Sequence, residues 1–155
     1  MTLNESSLEI IESSLTDNHV GDPTEALNHL EKIESPIDEF MGDGAYDSHK
    51  IYDEIENRND KGHHIVTIPP PKNAVISDDF PNNPSKRDKH TDFINTHGRL
   101  AWEHKTKYNR RLLVENTMGR IKRIIGAKLR SRIFESQKNE AKIGCKILNI
   151  MVRPM

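Results

Sequence analysis

Apolar residues come in short bursts between polar turns in the first half of the chain and at helical spacing in the second. Residues 8–16 (Leu-Glu-Ile-Ile-Glu-Ser-Ser-Leu-Thr) are β-branched and partly alternating, which predicts a strand. Asp22-Pro23-Thr24-Glu25 predicts a helix start, with Asp22 as N-cap, Pro23 at the first helical position and Glu25 closing a capping box. Ala26, Leu27, Leu30 and Ile33 supply its apolar face, and Ser35-Pro36 ends it. Ile37 to Met41 predicts a second strand, running into Gly42-Asp43-Gly44-Ala45-Tyr46-Asp47. Asp47 or Ser48 can cap a helix to about Asn59, with Ile51, Tyr52 and Ile55 inward. His63 to Ile68 predicts a third strand, stopped by Pro69-Pro70-Pro71. Strand, helix, strand, helix, strand is the pattern of crossover units on a parallel sheet with right-handed connections, an α/β fold.

The second half predicts helices. Lys72 to about Pro84 is a Pro-, Asn- and Asp-rich loop, and Ser85–His97 reads as a polar helix. A last helix, capped near Ser136, places Ala141, Cys145, Leu148 and Val152 on one face. Between them, residues 108–126 read as one helix with two stripes. Tyr108, Arg111, Glu115 and Lys122 share one face, because offsets of three, four and seven return to the same side. Val114, Met118, Ile121 and Ile125 form the second stripe, fit for a core. Gly119, one turn beyond Glu115, costs a helix roughly 1 kcal/mol against alanine, which suggests close approach to the backbone there. The plainer alternative is a solvated charged face in which Arg111 and Glu115 form an i,i+4 pair.

Charge changes this picture. The net charge of −1 hides a division: residues 1–60 hold 3 Lys+Arg against 16 Asp+Glu, and residues 61–155 hold 20 against 8. The bases crowd into 99–132, where only Glu103 and Glu115 oppose them. Such a cluster is the footprint of a polyanion partner, unless the acidic half simply pairs with the basic half. No apolar run is long enough to span a bilayer and the start does not read as a signal peptide, so a cytoplasmic protein is expected. The single Cys145 cannot form an internal disulfide. At 155 residues the chain fits one domain, 1–155, with a loop at about 69–84 and a basic helical part from about 85.

Asp43 is the second candidate acid. It ends a predicted strand between two glycines, where ligands of open α/β sheets sit, although Gly-Asp-Gly alone is more often a turn. Three segments then carry a resemblance. Tyr108, Arg111, Glu115 and Lys122 reproduce without a gap the signature around the last acid of DDE-type insertion-sequence transposases. Gly42 to Asp47 resembles the segment around their second acid, and Ile68-Pro69-Pro70-Pro71-Lys72-Asn73-Ala74 resembles the stretch after their next strand. The resemblance implies an RNase H-like mixed sheet with flanking helices, in which three carboxylates hold two divalent cations, Mg2+ or Mn2+, for DNA strand cleavage and transfer. By motif, Asp43 and Glu115 would be catalytic metal ligands, and Tyr108, Arg111 and Lys122 would grip DNA phosphates. Arg120 and Arg123 are added to the DNA-binding set on charge alone.

The sequence departs from the family at the first acid. Spacing back from Glu9-Ile10-Ile11 places it at Asn4, with only Met1-Thr2-Leu3 left of that strand. A neutral amide there removes charge that two neighbouring cations need. The expectation is therefore a C-terminal transposase fragment with the first strand largely missing, an open sheet edge and impaired chemistry. The partners implied are transposon ends and target DNA, with a homodimer as one candidate assembly, a nucleoid-associated location and no membrane. A catalytically dead remnant that binds DNA through phosphates is the competing function. A host nuclease of the same fold is a third, which Asn4 counts against. The histidines show no zinc spacing, and His63-His64 would face opposite sides of a strand.

Overall fold

The computed structural model describes residues 1–17, 19, 21–58, 65–78 and 80–152. It is a mixed α/β chain that divides into two compact units: Met1–Gly21, Asn28–Ile33 and Leu112–Met155 form the first, Asp22–Leu27 and Glu34–Arg111 the second. Among the described residues the strands pair in two sheets of two, one antiparallel and one parallel. The single parallel sheet expected from the strand–helix alternation is corrected accordingly. Asn59 and His63-His64, at the ends of the expected second helix and third strand, lie outside the described residues.

In the first unit β1 (Thr2–Leu3) pairs antiparallel with β2 (Ile10–Glu12). The strand expected over 8–16 shrinks to three residues because its partner has two, so the ladder runs out. Leu8 also turns the chain with φ 58°, a left-handed conformation that no strand residue adopts. Asn4 builds that turn. Its Oδ1 accepts the backbone N–H groups of Ser6 (2.9 Å) and Ser7 (3.0 Å), and its own N–H donates to the Glu9 carbonyl (2.9 Å). The other edge of β2 is closed by a side chain: Asn149 accepts from Ile10 N–H and donates to Ile10 C=O, both at 2.8 Å. One amide thus copies the two bonds that a neighbouring strand would make.

The remaining elements of this unit are helical. Helix α1 (Asp22–Lys32), of which only Asn28 onward falls in this unit, starts one residue before its expected first position, with Gly21 and not Asp22 as N-cap, and carries Pro23 in its first turn as predicted. Leu30 and Ile33 are buried as expected, and so is His29, whose ring nitrogens lie 3.0 Å from Thr2 Oγ1 and 2.9 Å from Ser14 Oγ. Helix α6, whose range is Phe134–Val152, begins two residues before the expected cap and buries Gly144, Cys145 and Leu148. Ile10, Cys145 and Leu148 form a small core with Met1, Leu3 and Ile121 against it. A Cβ on Gly144 would meet Ile125 Cγ2 at 3.3 Å, so glycine lets α6 come close to the end of the preceding segment.

The second unit holds the crossover that the pattern predicted. Strand β3 (Glu39–Met41) runs parallel to β4 (Ile65–Thr67), with Phe40 opposite Val66. Between them α2 (His49–Asn57) buries Ile51, Tyr52 and Ile55, the three residues expected inward, behind Ser48 as N-cap. The proline-rich stretch that follows carries no regular element, as predicted, although Pro69 and Pro70 are buried. Helix α3 (Lys86–His97) opens with a full capping box of Ser85 and Asp88. Asp88 is 2% exposed, and its carboxylate accepts from the backbone N–H and hydroxyl of both Ser77 and Ser85 at 2.7–3.2 Å. Burial alone raises its pKa, but those four hydrogen bonds outweigh it and bring the value down to about 2. After Gly98 (φ 85°) the chain forms α4 (Arg99–Thr106), a helix to which the periodicity gave no clear face.

Candidate active site

Asp43 stands where the sequence put it, just past the C-terminal end of a parallel strand. A Cβ on Gly42 would meet the Tyr46 ring at 3.0 Å, and one on Gly44 would meet the Pro69 carbonyl at 3.2 Å. A side chain at either position would crowd its neighbour, so the chain passes Asp43 as a tight turn. Asp43 Oδ1 accepts from Ala45 N–H at 2.9 Å and so caps a 3-10 turn over Gly44–Tyr46. Its side chain stays 45% exposed, and Oδ2 lies 3.9 Å from Nη1 of Arg111.

The Tyr108–Ile125 stretch is not one α-helix. Lys107 ends α4 in a left-handed conformation (φ 53°), Tyr108–Arg111 is a 3-10 turn, and α5 (Leu112–Ile124) begins after it. Three residues per turn in the first part and 3.6 in the second shift the phase, so the single stripe from Tyr108 to Lys122 is corrected to two segments. The tighter turn belongs to the second unit and α5 to the first. The core stripe is corrected as well. Ile121 packs and Val114 is half-buried, but Met118 is 40% exposed and the buried position of α5 is Thr117, whose hydroxyl donates to the Leu113 carbonyl (2.8 Å).

The 3-10 turn is fastened within the second unit. Arg110, which the sequence reading did not single out, forms an ion pair with Glu39 on β3. The Tyr108 ring lies 5.2 Å from the Trp102 ring, and the guanidinium carbons of Arg99 and Arg111 are each 5.6 Å from its centre. Burial raises the Tyr108 hydroxyl pKa, while Arg111 and Arg99 oppose that shift. Trp102, 1% exposed, donates its indole N–H to His90 Nδ1 (2.9 Å), and His90 Nε2 donates to the Val66 carbonyl (2.6 Å). Burial lowers the His90 pKa, consistent with a neutral ring holding one proton on Nε2. Arg87 and Asp47 add a part-buried ion pair with contacts of 2.9–3.0 Å. Asp47 was a candidate helix cap; pairing with Arg87 takes that carboxylate instead. These ties join residues up to 71 positions apart, and nothing in local spacing announces them.

In the first unit α5 presents Glu115 in its first turn, with Lys122 seven residues on along the same face. Glu115, Lys122 and Arg123 are exposed and Arg120 half-exposed. A Cβ at Gly119 would meet nothing within 4 Å, so the surface beside Glu115 is open. Asn4, the position of the expected first acid, also belongs to this unit and spends Oδ1 on its own turn. A shallow groove of about 380 Å³ in the second unit is lined by Pro70, Pro71, Lys72 and Ala74 of the third motif segment, but by none of the candidate metal-ligand or DNA-binding residues.

Each acid taken by itself is an oxygen donor of the kind a hard divalent cation takes: Asp43 has Oδ2 beyond its cap bond, facing Arg111 at 3.9 Å, and Glu115 is exposed. Among the described residues no three His, Cys, Asp or Glu side chains come together as a metal cluster. No helix among them is long and apolar enough to cross a membrane. The family model of the transposase DDE domain matches residues 1–150, nearly the whole chain, and the chain belongs to that family. No solved structure matches it.

Proposed function

We propose that this chain carries the catalytic machinery of DNA transposition on an RNase H-like scaffold, in a form weakened at the first acid. Asp43 and Glu115 would hold Mg2+ or Mn2+, and Tyr108, Arg111, Arg120, Lys122 and Arg123 would bind DNA phosphates. The bound cation would supply a polarised phosphodiester and an activated hydroxyl. The observation that carries the reading is Asp43 itself. An accessible carboxylate follows a parallel strand, between glycines where a side chain would be crowded, with Arg111 beside it. Membership of the transposase family supports a DNA partner, both transposon ends and target, and with it a nucleoid location. A second copy of the chain belongs to the same proposal, and sedimentation of the protein alone would report it.

Asn4 sets the limit. Its Oδ1 accepts two backbone N–H groups and brings no charge, so two cations a few ångströms apart would lack the carboxylate that screens their repulsion. Strand cleavage by the chain alone should be slow or absent. Asn4→Asp keeps the acceptor geometry and restores the charge, so a gain of magnesium-dependent nicking would mark a disabled enzyme. The same observation favours a second reading, a remnant that binds DNA through its basic residues and cuts nothing.

Titration calorimetry with Mn2+ separates the two. Loss of binding in both Asp43→Ala and Glu115→Ala supports the metal-ligand roles. A parent that binds DNA but no cation sinks them and leaves the binding module.

A further inference from the structure

We propose that Arg111 is a built-in counter-ion of Asp43 which an arriving divalent cation has to displace, and that a DNA phosphate drawing Arg111 away eases that displacement. The inference rests on Asp43 being a metal ligand, as proposed above. Asp43 Oδ1 is occupied by the Ala45 N–H at 2.9 Å, so Oδ2 is the oxygen turned toward outside charge, and Arg111 Nη1 already stands 3.9 Å from it. That distance gives electrostatic attraction without a hydrogen bond. A dication brought to Oδ2 would meet a guanidinium at similar range, a repulsion worth roughly ten- to thirtyfold in affinity even at the dielectric of water.

The turn that carries Arg111 is fixed while its side chain retains access to solvent. Arg110 on the same turn pairs with Glu39 of β3, the strand that ends beside Asp43, and Tyr108 packs against Trp102. The Arg111 side chain itself is 31% exposed. A guanidinium stays charged at every working pH, so acidity does not release it; a competing anion does. Phosphate offers two oxygens in a geometry that matches the guanidinium fork, which one Asp43 oxygen at 3.9 Å does not. Metal loading and DNA engagement are then coupled, and linkage requires each to favour the other by the same factor.

The test measures Mn2+ binding by calorimetry on the whole chain. Arg111→Gln should tighten Mn2+ by roughly ten- to thirtyfold, from removal of one charge near 4 Å from a dication. Arg111→Lys, which keeps the charge, should stay within about twofold of the parent. Lys128→Gln removes an exposed charge elsewhere and should leave the affinity unchanged. Affinity for a random-sequence duplex, with and without Mn2+, should show the coupling in the parent and lose it in Arg111→Gln. If Asp43→Asn abolishes Mn2+ binding while Arg111→Gln binds no tighter than the parent, the counter-ion is refuted and the metal-ligand role stands. Equal tightening by Lys128→Gln refutes it too, because net charge would explain the effect. Binding that survives Asp43→Asn unchanged overturns both.

Discussion

The two units hold themselves together by different means. In the second, a buried apolar core of Ile51, Ile55, Val66 and Ile68 is joined by polar groups that answer one another: Asp88 on two serines, Asp47 on Arg87, Trp102 on His90 and His90 on a strand carbonyl. In the first, the core around Ile10, Cys145 and Leu148 is small, and the helices leave large apolar side chains in water. Ile143, Ile147, Ile150 and Met151 on α6 are 40–70% exposed, as are Met118 and Ile124 of α5 at 40% and 42%. The difference teaches where each unit is specified. Directional bonds between distant residues admit few alternatives, whereas a thin apolar cluster is satisfied by many side chains of similar size.

The largest effect that would sharpen this contrast is expected from Trp102→Ala. It empties a buried position and orphans a hydrogen bond to His90, so urea unfolding should show a loss of about 3–5 kcal/mol. A loss under 1 kcal/mol would mean that the network contributes little. Asp88 offers an intermediate test with a pH signature. Its folded pKa of about 2 lies below the ordinary 3.8, so the folded state resists protonation and stability is gained as pH rises. That contribution is complete above the unfolded value and disappears as pH falls toward about 2. Asp88→Asn should therefore lose about 2 kcal/mol at neutral pH and show a flatter acid limb below about pH 4. An unchanged limb would assign acid unfolding to other carboxylates. The smallest effect is expected from Ile150→Gln, 70% exposed, which should change stability by less than about 0.5 kcal/mol. A larger loss would show that the first unit depends on its exposed apolar face.

The same contrast explains what could be read from the chain. Helix α2 was legible because its caps and its 51, 52, 55 burial pattern are local, and the parallel pairing of β3 with β4 follows from two apolar runs around a crossover helix. Asp43 was legible because the flanking glycines mark a tight turn, and crowding by Tyr46 and Pro69 favours glycine at both places. Helix α4 was not: its one fully buried side chain, Trp102, makes no periodic face, and its partners come from α3 and the turn after it. The Tyr108–Arg111 segment misled because its spacing fits an α-helix, while a left-handed Lys107 and the pull of Glu39 on Arg110 wind it more tightly.

By itself the sequence determined the family, the places of the candidate acids Asp43 and Glu115 along the chain, and the basic character of the second half. These depend on residue identity and on spacing along one element, which the chain states directly. Only the tertiary structure decided that Asn149 closes the edge of β2, that Asp47 answers Arg87, and that Arg111 stands over Asp43. Those pairings join residues 40 to 139 positions apart, and the geometry that brings them within hydrogen-bonding or electrostatic reach exists only once the elements have packed.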